Sequence, residues 1–322
     1  QYKLKNGLTV MLVENRKLPQ VSASLSLDNP PILEGIKAGL SELTGSLLGK
    51  GSKKITKDDF YDEVDFMGAN ISISASGAFA QSLSRYFERT FQMMADAAIN
   101  PNFTEEEFVK ERDVIIDALK ASEKDVTNAA RRVERLLAYG TNHPYGEYTT
   151  PGTVNNITLA DVQRFYDFRF RPNNAYLVIV GDIDMETVKP LVKKYFGKWK
   201  PNPVASSPIP EVKNPKSPQI DFVNMPNAVQ SEVVVQSTAY LAKKDPEYFA
   251  VLMANSILGG GGEARLFLNL REDKGYTYGA YSSIGNDKRT ATRFRASASV
   301  RNEVTDSAVV ELLNEVKRIR TD

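Results

Sequence analysis

Glu42 and Ser46 stand four residues apart in "GLSELTGSLLGKGSKK", residues 39–54. That is the separation at which one helix face can present two donors to a single ion. Around them Leu40, Leu43, Leu47 and Leu48 recur at i, i+3, i+7 and i+8, which predicts a helix over about 38–49 with one apolar, core-facing side. A carboxylate and a hydroxyl make a poor cage for a cation, and Gly45 between them contributes no side chain at all. The frame is that of a metal-bearing helix, but the donors are missing.

Other hydrolytic chemistries are thinned by two counts. The chain has one histidine, His143, and no cysteine. Zinc catalysis usually takes two or three histidines, and serine or cysteine nucleophiles need at least one well-placed imidazole. His143 sits in "GTNHPYGEY", where turn chemistry predicts a ring hydrogen-bonded to nearby backbone. Zero cysteine removes disulfides, thiolate metal sites and thiol nucleophiles. It also removes direct evidence about redox compartment: the count suits an exported bacterial protein and is shared by many cytosolic ones, so the location stays open, with the bacterial periplasm or cell envelope favoured. The sequence opens at Gln1 without Met or a signal peptide, which fits either a removed leader or a trimmed start. Forty-one Lys and Arg against forty Asp and Glu give a net charge of +1, so no basic field recommends nucleic acid as a partner. No apolar run is long enough to predict membrane insertion.

The elements that must position such groups follow from pattern. "YKLKNGLTVMLV", 2–13, predicts two strands around an Asn-Gly turn, and "VSASLSL", 21–27, a half-buried strand. "TKDDFYDEVDFMG" predicts a helix capped by Thr56 and closed by Gly68, followed by paired strands in "NISISASG" and "AQSLSRYF". Helices are expected at about 84–98, 104–121, 126–139 and 158–168, then a buried strand in "NAYLVIVGDI" and a helix at about 184–196. Residues 200–218 carry six prolines and no hydrophobic period, and predict a linker between a domain at 1–199 and a second at 219–322. The second stretch partly repeats the first: strands in "QIDFVNMP" and "SEVVVQSTAY", a helix in "PEYFAVLMANSIL", a Gly-rich loop into a helix, two more strands, and a last helix. The fold class is α+β, two related layered domains with the second shorter.

With these elements in place the chain resembles the pitrilysin/insulinase family of zinc metallopeptidases, in its short processing-peptidase-like form. "YKLKNGLTVMLVEN", the 39–54 stretch, "ERDVIIDALK", the long run from "HPYGEYTT" to "VIVGDID", and "ILGGGGEARLFLNLREDKGYTYGAYS" carry the resemblance, which spans essentially all 322 residues. The resemblance implies a LuxS/mitochondrial-processing-peptidase-like fold of two related α+β domains. Active members of the family hold zinc with His-x-x-Glu-His on the first helix and a glutamate far downstream. Anchored on Lys50–Ser52, the five motif positions fall on Glu42, Leu43, Thr44, Gly45 and Ser46. The third ligand, seven residues beyond the position of Glu111, falls on Ala118. The resemblance therefore implies a degenerate site at Glu42, Gly45, Ser46 and Ala118, with no metal bound by this chain.

The C-terminal segment implies more. Its "FLNLREDKGYTYGAYS" matches the family's Arg and Tyr seven residues apart that grip substrate, which here are Arg271 and Tyr278. A guanidinium can donate two hydrogen bonds to a peptide carbonyl or carboxylate, and a phenol can stabilise an oxyanion. Gly260, Gly261 and Gly262 fall in the family's Gly-rich loop, which the resemblance implies in peptide recognition; they permit φ > 0 and close backbone approach to a chain. "NISISASG" matches the strand that borders the cleft and takes up substrate by edge addition. Some bacterial members divide the labour between two chains, one with zinc and one with the Arg/Tyr pair. The expected role is thus a non-catalytic, substrate-contacting subunit of a heteromeric zinc endopeptidase, partnered with a zinc-bearing homologous subunit and acting on peptides. The alternative is a structural or assembly subunit; a zinc peptidase acting by itself is disfavoured by the single histidine.

Overall fold

The computed structural model describes residues 1–204 and 207–321. Two compact units emerge: Gln1–Pro30 with Glu34–Lys120 and Thr149–Ser207, and Pro31–Leu33 with Ala121–Tyr148 and Pro208–Asp322. The boundary between Ser207 and Pro208 falls inside the Pro-rich stretch 200–218, whose Ala205 and Ser206 lie outside the described residues.

The first unit is built on six strands: β1 (Tyr2–Lys3), β2 (Thr9–Glu14), β3 (Gln20–Leu27), β4 (Asn70–Ser74), β5 (Gly77–Leu83) and β6 (Ala175–Gly181). Their order is β1-β2-β6-β3-β5-β4, with only β2 and β6 parallel. The Asn6-Gly7 turn closes the first hairpin through Leu4 and Leu8, as the dipeptide predicts. α1 (Leu40–Leu47) and α2 (Lys57–Phe66) lie between β3 and β4 in sequence. Next come α3 (Phe87–Ile99), α4 (Glu105–Ala121), α5 (Val126–Tyr139), α6 (Pro151–Asn155), α7 (Leu159–Arg169) and α8 (Met185–Phe196). Alternation along β3 puts Val21, Ala23 and Leu25 on the face that packs with Phe87, Phe91 and Met94 of α3 and Val188 and Val192 of α8. A second cluster joins Leu43 and Leu47 of α1 to Phe108, Ile115 and Ile116 of α4 and Val162 of α7. The leucine spacing in "GLSELTGSLL" is therefore a core face.

The second unit carries β7 (Gln230–Ala239), β8 (Thr277–Ile284) and β9 (Thr292–Arg301) in the order β7-β9-β8, all antiparallel. This is the β3-β5-β4 arrangement of the first unit over again. α9 (Tyr248–Gly259), a short α10 (Arg265–Phe267) and α11 (Thr305–Arg318) complete it. α5 also belongs here, held by a buried carboxylate. Glu134 takes bonds from Arg293 at 2.9 Å and from Arg295 at 2.8 and 3.1 Å, and Arg295 also reaches Glu232 at 2.9 Å. Glu134 and Glu232 side chains are each 6% exposed, so these are paired interior charges rather than surface decoration.

The strand expected in "QIDFVNMP" does not form: 219–224 takes no regular secondary structure, with Ile220 91% and Phe222 82% exposed. An alternating pattern makes a strand only when an edge receives it. In the first unit β2 finds β6, whereas among the described residues β7 pairs with β9 alone. At Thr238 the outward-facing backbone of β7 is taken instead by a side chain: Asn214 donates to its carbonyl at 2.7 Å and accepts from its N–H at 2.8 Å.

Candidate functional site

The first candidate constellation is the α1 helix. Its N-terminus opens at Gly39 and is filled from within, since the Glu34 carboxylate accepts from the Gly39, Leu40 and Ser41 N–H groups at 2.8–3.0 Å. Glu42 remains solvent-accessible, and partial burial, then the Glu34 carboxylate, raises its carboxyl above the usual range. Ser46 spends its hydroxyl on the Leu43 carbonyl at 3.0 Å. Gly45 backs onto the β4–β5 hairpin, where a Cβ would lie 3.3 Å from the Ala75 nitrogen. Ala118 is an exposed methyl on α4. Glu111, seven residues earlier, is engaged by Lys50 at 2.8 Å. Among the described residues no group of three or more His, Cys, Asp or Glu could hold a metal ion. The donor set does not fit zinc.

His143 is where the turn reading puts it but is fully interior, at 1% exposure. Its Nδ1 accepts from the Tyr145 N–H at 3.0 Å, which leaves Nε2 to carry the proton and donate to Thr290 Oγ1 at 3.0 Å. The ring stacks on Tyr139 at 4.9 Å, and Tyr145 donates to Asp287 at 2.7 Å. It fastens the 140–148 loop to the 286–290 loop of the same unit.

The second constellation lies between α10 and β8. After Phe267 the helix does not continue in α register: Leu268–Asp273 is a π-helical turn. Here Lys274 N–H donates five residues back to the Asn269 carbonyl at 3.0 Å. Leu266 and Leu270 point into the core with Val300 and Leu312, and Arg271 emerges on the outside. Its guanidinium lies 4.9 Å from the Phe267 ring centre and donates through Nη1 to the Tyr278 carbonyl at 2.8 Å. Tyr278 sits in an irregularity of its own. The pairing of β8 with β9 slips between Thr277 and Ala280, so that Tyr278 and Gly279 bulge outward. Thr277 Oγ1 holds that bulge, accepting from Gly279 N–H at 3.1 Å and donating toward the Ser299 carbonyl at 2.6 Å. The Tyr278 ring is left 85% exposed.

The Arg and Tyr singled out seven residues apart are thus brought together, one by a π-turn and the other by a β-bulge. The guanidinium spends Nη1 on the Tyr278 carbonyl and pairs Nε with Glu272 at 3.2 Å, with Nη2 left to meet a further acceptor. None of Gly260, Gly261 and Gly262 takes a positive φ, and Gly261 has open space around it. A Cβ at Gly260 would come 2.7 Å from the Ser256 Cα of its own helix, and one at Gly259 would come 2.2 Å from the Ser282 nitrogen of β8. In "GGGG" four identical letters gave no way to tell which one touches the sheet.

Residues 156–322 match the family described as Peptidase M16 inactive domain, and residues 10–148 match Insulinase (Peptidase family M16). The chain is 24% identical over 329 residues to the zinc protease PqqE of Helicobacter pylori, covering 98% of this chain and 74% of that protein. A crystal structure of a peptidase M16 inactive domain from Pseudomonas fluorescens superposes with a TM-score of 0.86 at 22% identity, covering 98% of this chain and 78% of that one. The periplasmic protease PqqL of Escherichia coli superposes at 0.72 with 20% identity, covering 99% of this chain but 37% of that one.

Proposed function

Because the chain belongs to the M16, or insulinase, family of peptidases, we propose that it is the non-catalytic, substrate-holding subunit of a zinc endopeptidase whose metal sits in a homologous partner. The observation that carries this reading is the pairing of two backbone irregularities at one place. The π-turn and the β-bulge give up regular hydrogen bonding to expose Arg271 and Tyr278, and neither side chain serves the core. Backbone irregularity that brings two exposed polar side chains to one place is what a ligand site calls for.

The division of roles follows from donor chemistry. α1 has no side chain at position 45 to take a proton from water, and no imidazole at 42 or 46. Arg271 can orient a peptide carbonyl or a carboxylate, with its Tyr278 carbonyl contact fixing the fork's angle. Tyr278 can donate its phenol proton to an oxygen gaining negative charge in the partner's reaction. β4, an edge strand with alternating exposure, offers backbone groups to an extended peptide, which would make affinity tolerant of sequence. No activity is expected from the chain alone.

The test is a mixing assay with the zinc-bearing homologue from the same organism and an internally quenched peptide. Zinc-dependent cleavage should appear only on mixing. Arg271→Ala should lower kcat/KM of the mixture by roughly tenfold or more, the loss of one charged hydrogen-bonding group. Unchanged kcat/KM in that variant removes Arg271 from the site. Mixing without any gain in cleavage would favour an assembly role.

A further inference from the structure

The π-turn that exposes Arg271 needs something to hold it, because an α-helical continuation has better backbone geometry. Core packing does not supply the reason, since Leu266 and Leu270 are four apart and would share a face in α register too. The residue that accepts the i+5 bond is Asn269, through its carbonyl. The same residue is clamped by its side chain: Nδ2 donates to Glu311 Oε2 at 2.9 Å and to Glu315 Oε1 at 2.8 Å, two carboxylates one turn apart on α11. Glu315 is 2% exposed and is itself braced by Arg318 at 2.9 Å, so the anchor is interior and fixed. Both bonds are charge-assisted, the stronger class of hydrogen bond.

We propose that Asn269 is a positioning residue, which sets the π register by bridging to Glu311 and Glu315 and so turns Arg271 toward the Tyr278 carbonyl. The proposal rests on the substrate-holding reading of Arg271 and Tyr278. Asn269 does not touch the ligand; it decides where the guanidinium emerges. Arg271 is two positions beyond Asn269, and a slip from i+5 to i+4 at this point rotates everything that follows it around the helix axis. The clamp also explains why an amide stands there: it donates to two acids at once with no charge of its own.

The experiment compares four proteins: the parent, Arg271→Ala, Asn269→Ala, and the donor–acceptor swap Asn269→Asp with Glu311→Gln and Glu315→Gln. Two quantities are read. One is amide exchange at Lys274, donor of the i+5 bond, with Val300 and Leu312 as core references. The other is the affinity for fluorescein-labelled β-casein, an unfolded protein. In Asn269→Ala, exchange at Lys274 should rise roughly tenfold or more while the core references hold, and affinity should fall nearly as far as in Arg271→Ala. The swap should restore both. Parent-like protection at Lys274 in Asn269→Ala overturns the proposal, as does intact affinity when Arg271→Ala binds weakly. If Arg271→Ala binds as the parent does, the substrate reading has failed, and Lys274 exchange alone decides the role of Asn269. Should Asn269→Ala lose the whole fold, the swap variant decides: recovery of Lys274 protection supports the clamp, and its absence overturns it.

Discussion

At the scale of single residues the one histidine is informative for a reason other than catalysis. Burial pushes the His143 imidazole below its ordinary pKa, against a smaller opposing pull from Asp287. Its Nδ1 already accepts from Tyr145 N–H, so a second proton has no acceptor there. The rings of Tyr139 and Tyr145 pack against the imidazole and supply only neutral faces. The folded state therefore binds fewer protons than the unfolded one. Stability is fully present above the ordinary histidine pKa near 6.5 and falls as pH drops through and below it, at no more than about 1.4 kcal/mol per pH unit. Urea midpoints of the second unit from pH 7.5 to 5 should show that slope, and His143→Gln should flatten it. The turn placing His143 was legible in "NHPYG"; its burial was not, because Thr290 and Asp287 lie more than 140 residues away in sequence.

At the scale of elements, most boundaries were written locally. Thr56, Thr104 and Thr158 cap their helices as their positions suggest, accepting from Asp59, Glu107 and Asp161 N–H groups. The leucine period of α1, the alternation of β3 and the buried-strand run of β6 were equally plain. The two irregular elements were not. A π-turn over "LNLRED" and a bulge at "TYGA" have no local signature, for each depends on what α11 and β9 offer across the unit. The Arg and Tyr could be matched by spacing, but the devices that join them could not be read. α9 gives a further test. Its last residue, Gly259, meets the Ser282 nitrogen so closely that Gly259→Ala must move helix or strand. That substitution should cost about 1–3 kcal/mol, the range for overpacking a tight interior. Gly261→Ala, in open space, should lie within about 0.5 kcal/mol of the parent. Equal midpoints for the two in thermal unfolding would refute the assignment of the close approach.

At the scale of the whole molecule, two sheets share the run β3-β5-β4 and β7-β9-β8, a repeat that the order of predicted elements already suggested. What chain order concealed is that α5, lying early in the sequence, joins the later unit through Glu134. Long-range ion pairs of this kind leave no periodicity behind. Glu134→Ala strands Arg293 and Arg295 without their shared acceptor, and breaking such an interior pair costs about 3–5 kcal/mol. Denaturant unfolding followed by amide exchange should show the loss in α5, β7 and β9 while β3 and β6 keep their protection. A shift of equal size in both groups would mean that Glu134 supports more than its own unit. The repeat also leaves an asymmetry: β3 is flanked on both sides by strands, whereas among the described residues β7 pairs with β9 alone, its other side meets the Asn214 side chain only at Thr238, and Ile220 and Phe222 of the 219–224 segment stand in water. A bare strand edge does not discriminate among the extended segments it meets. In a concentrated solution the commonest such segments belong to other copies of the same protein. This one should therefore lose material to aggregation with time and concentration, and low protein concentration should preserve it better than low temperature, since hydrophobic association weakens only gradually on cooling.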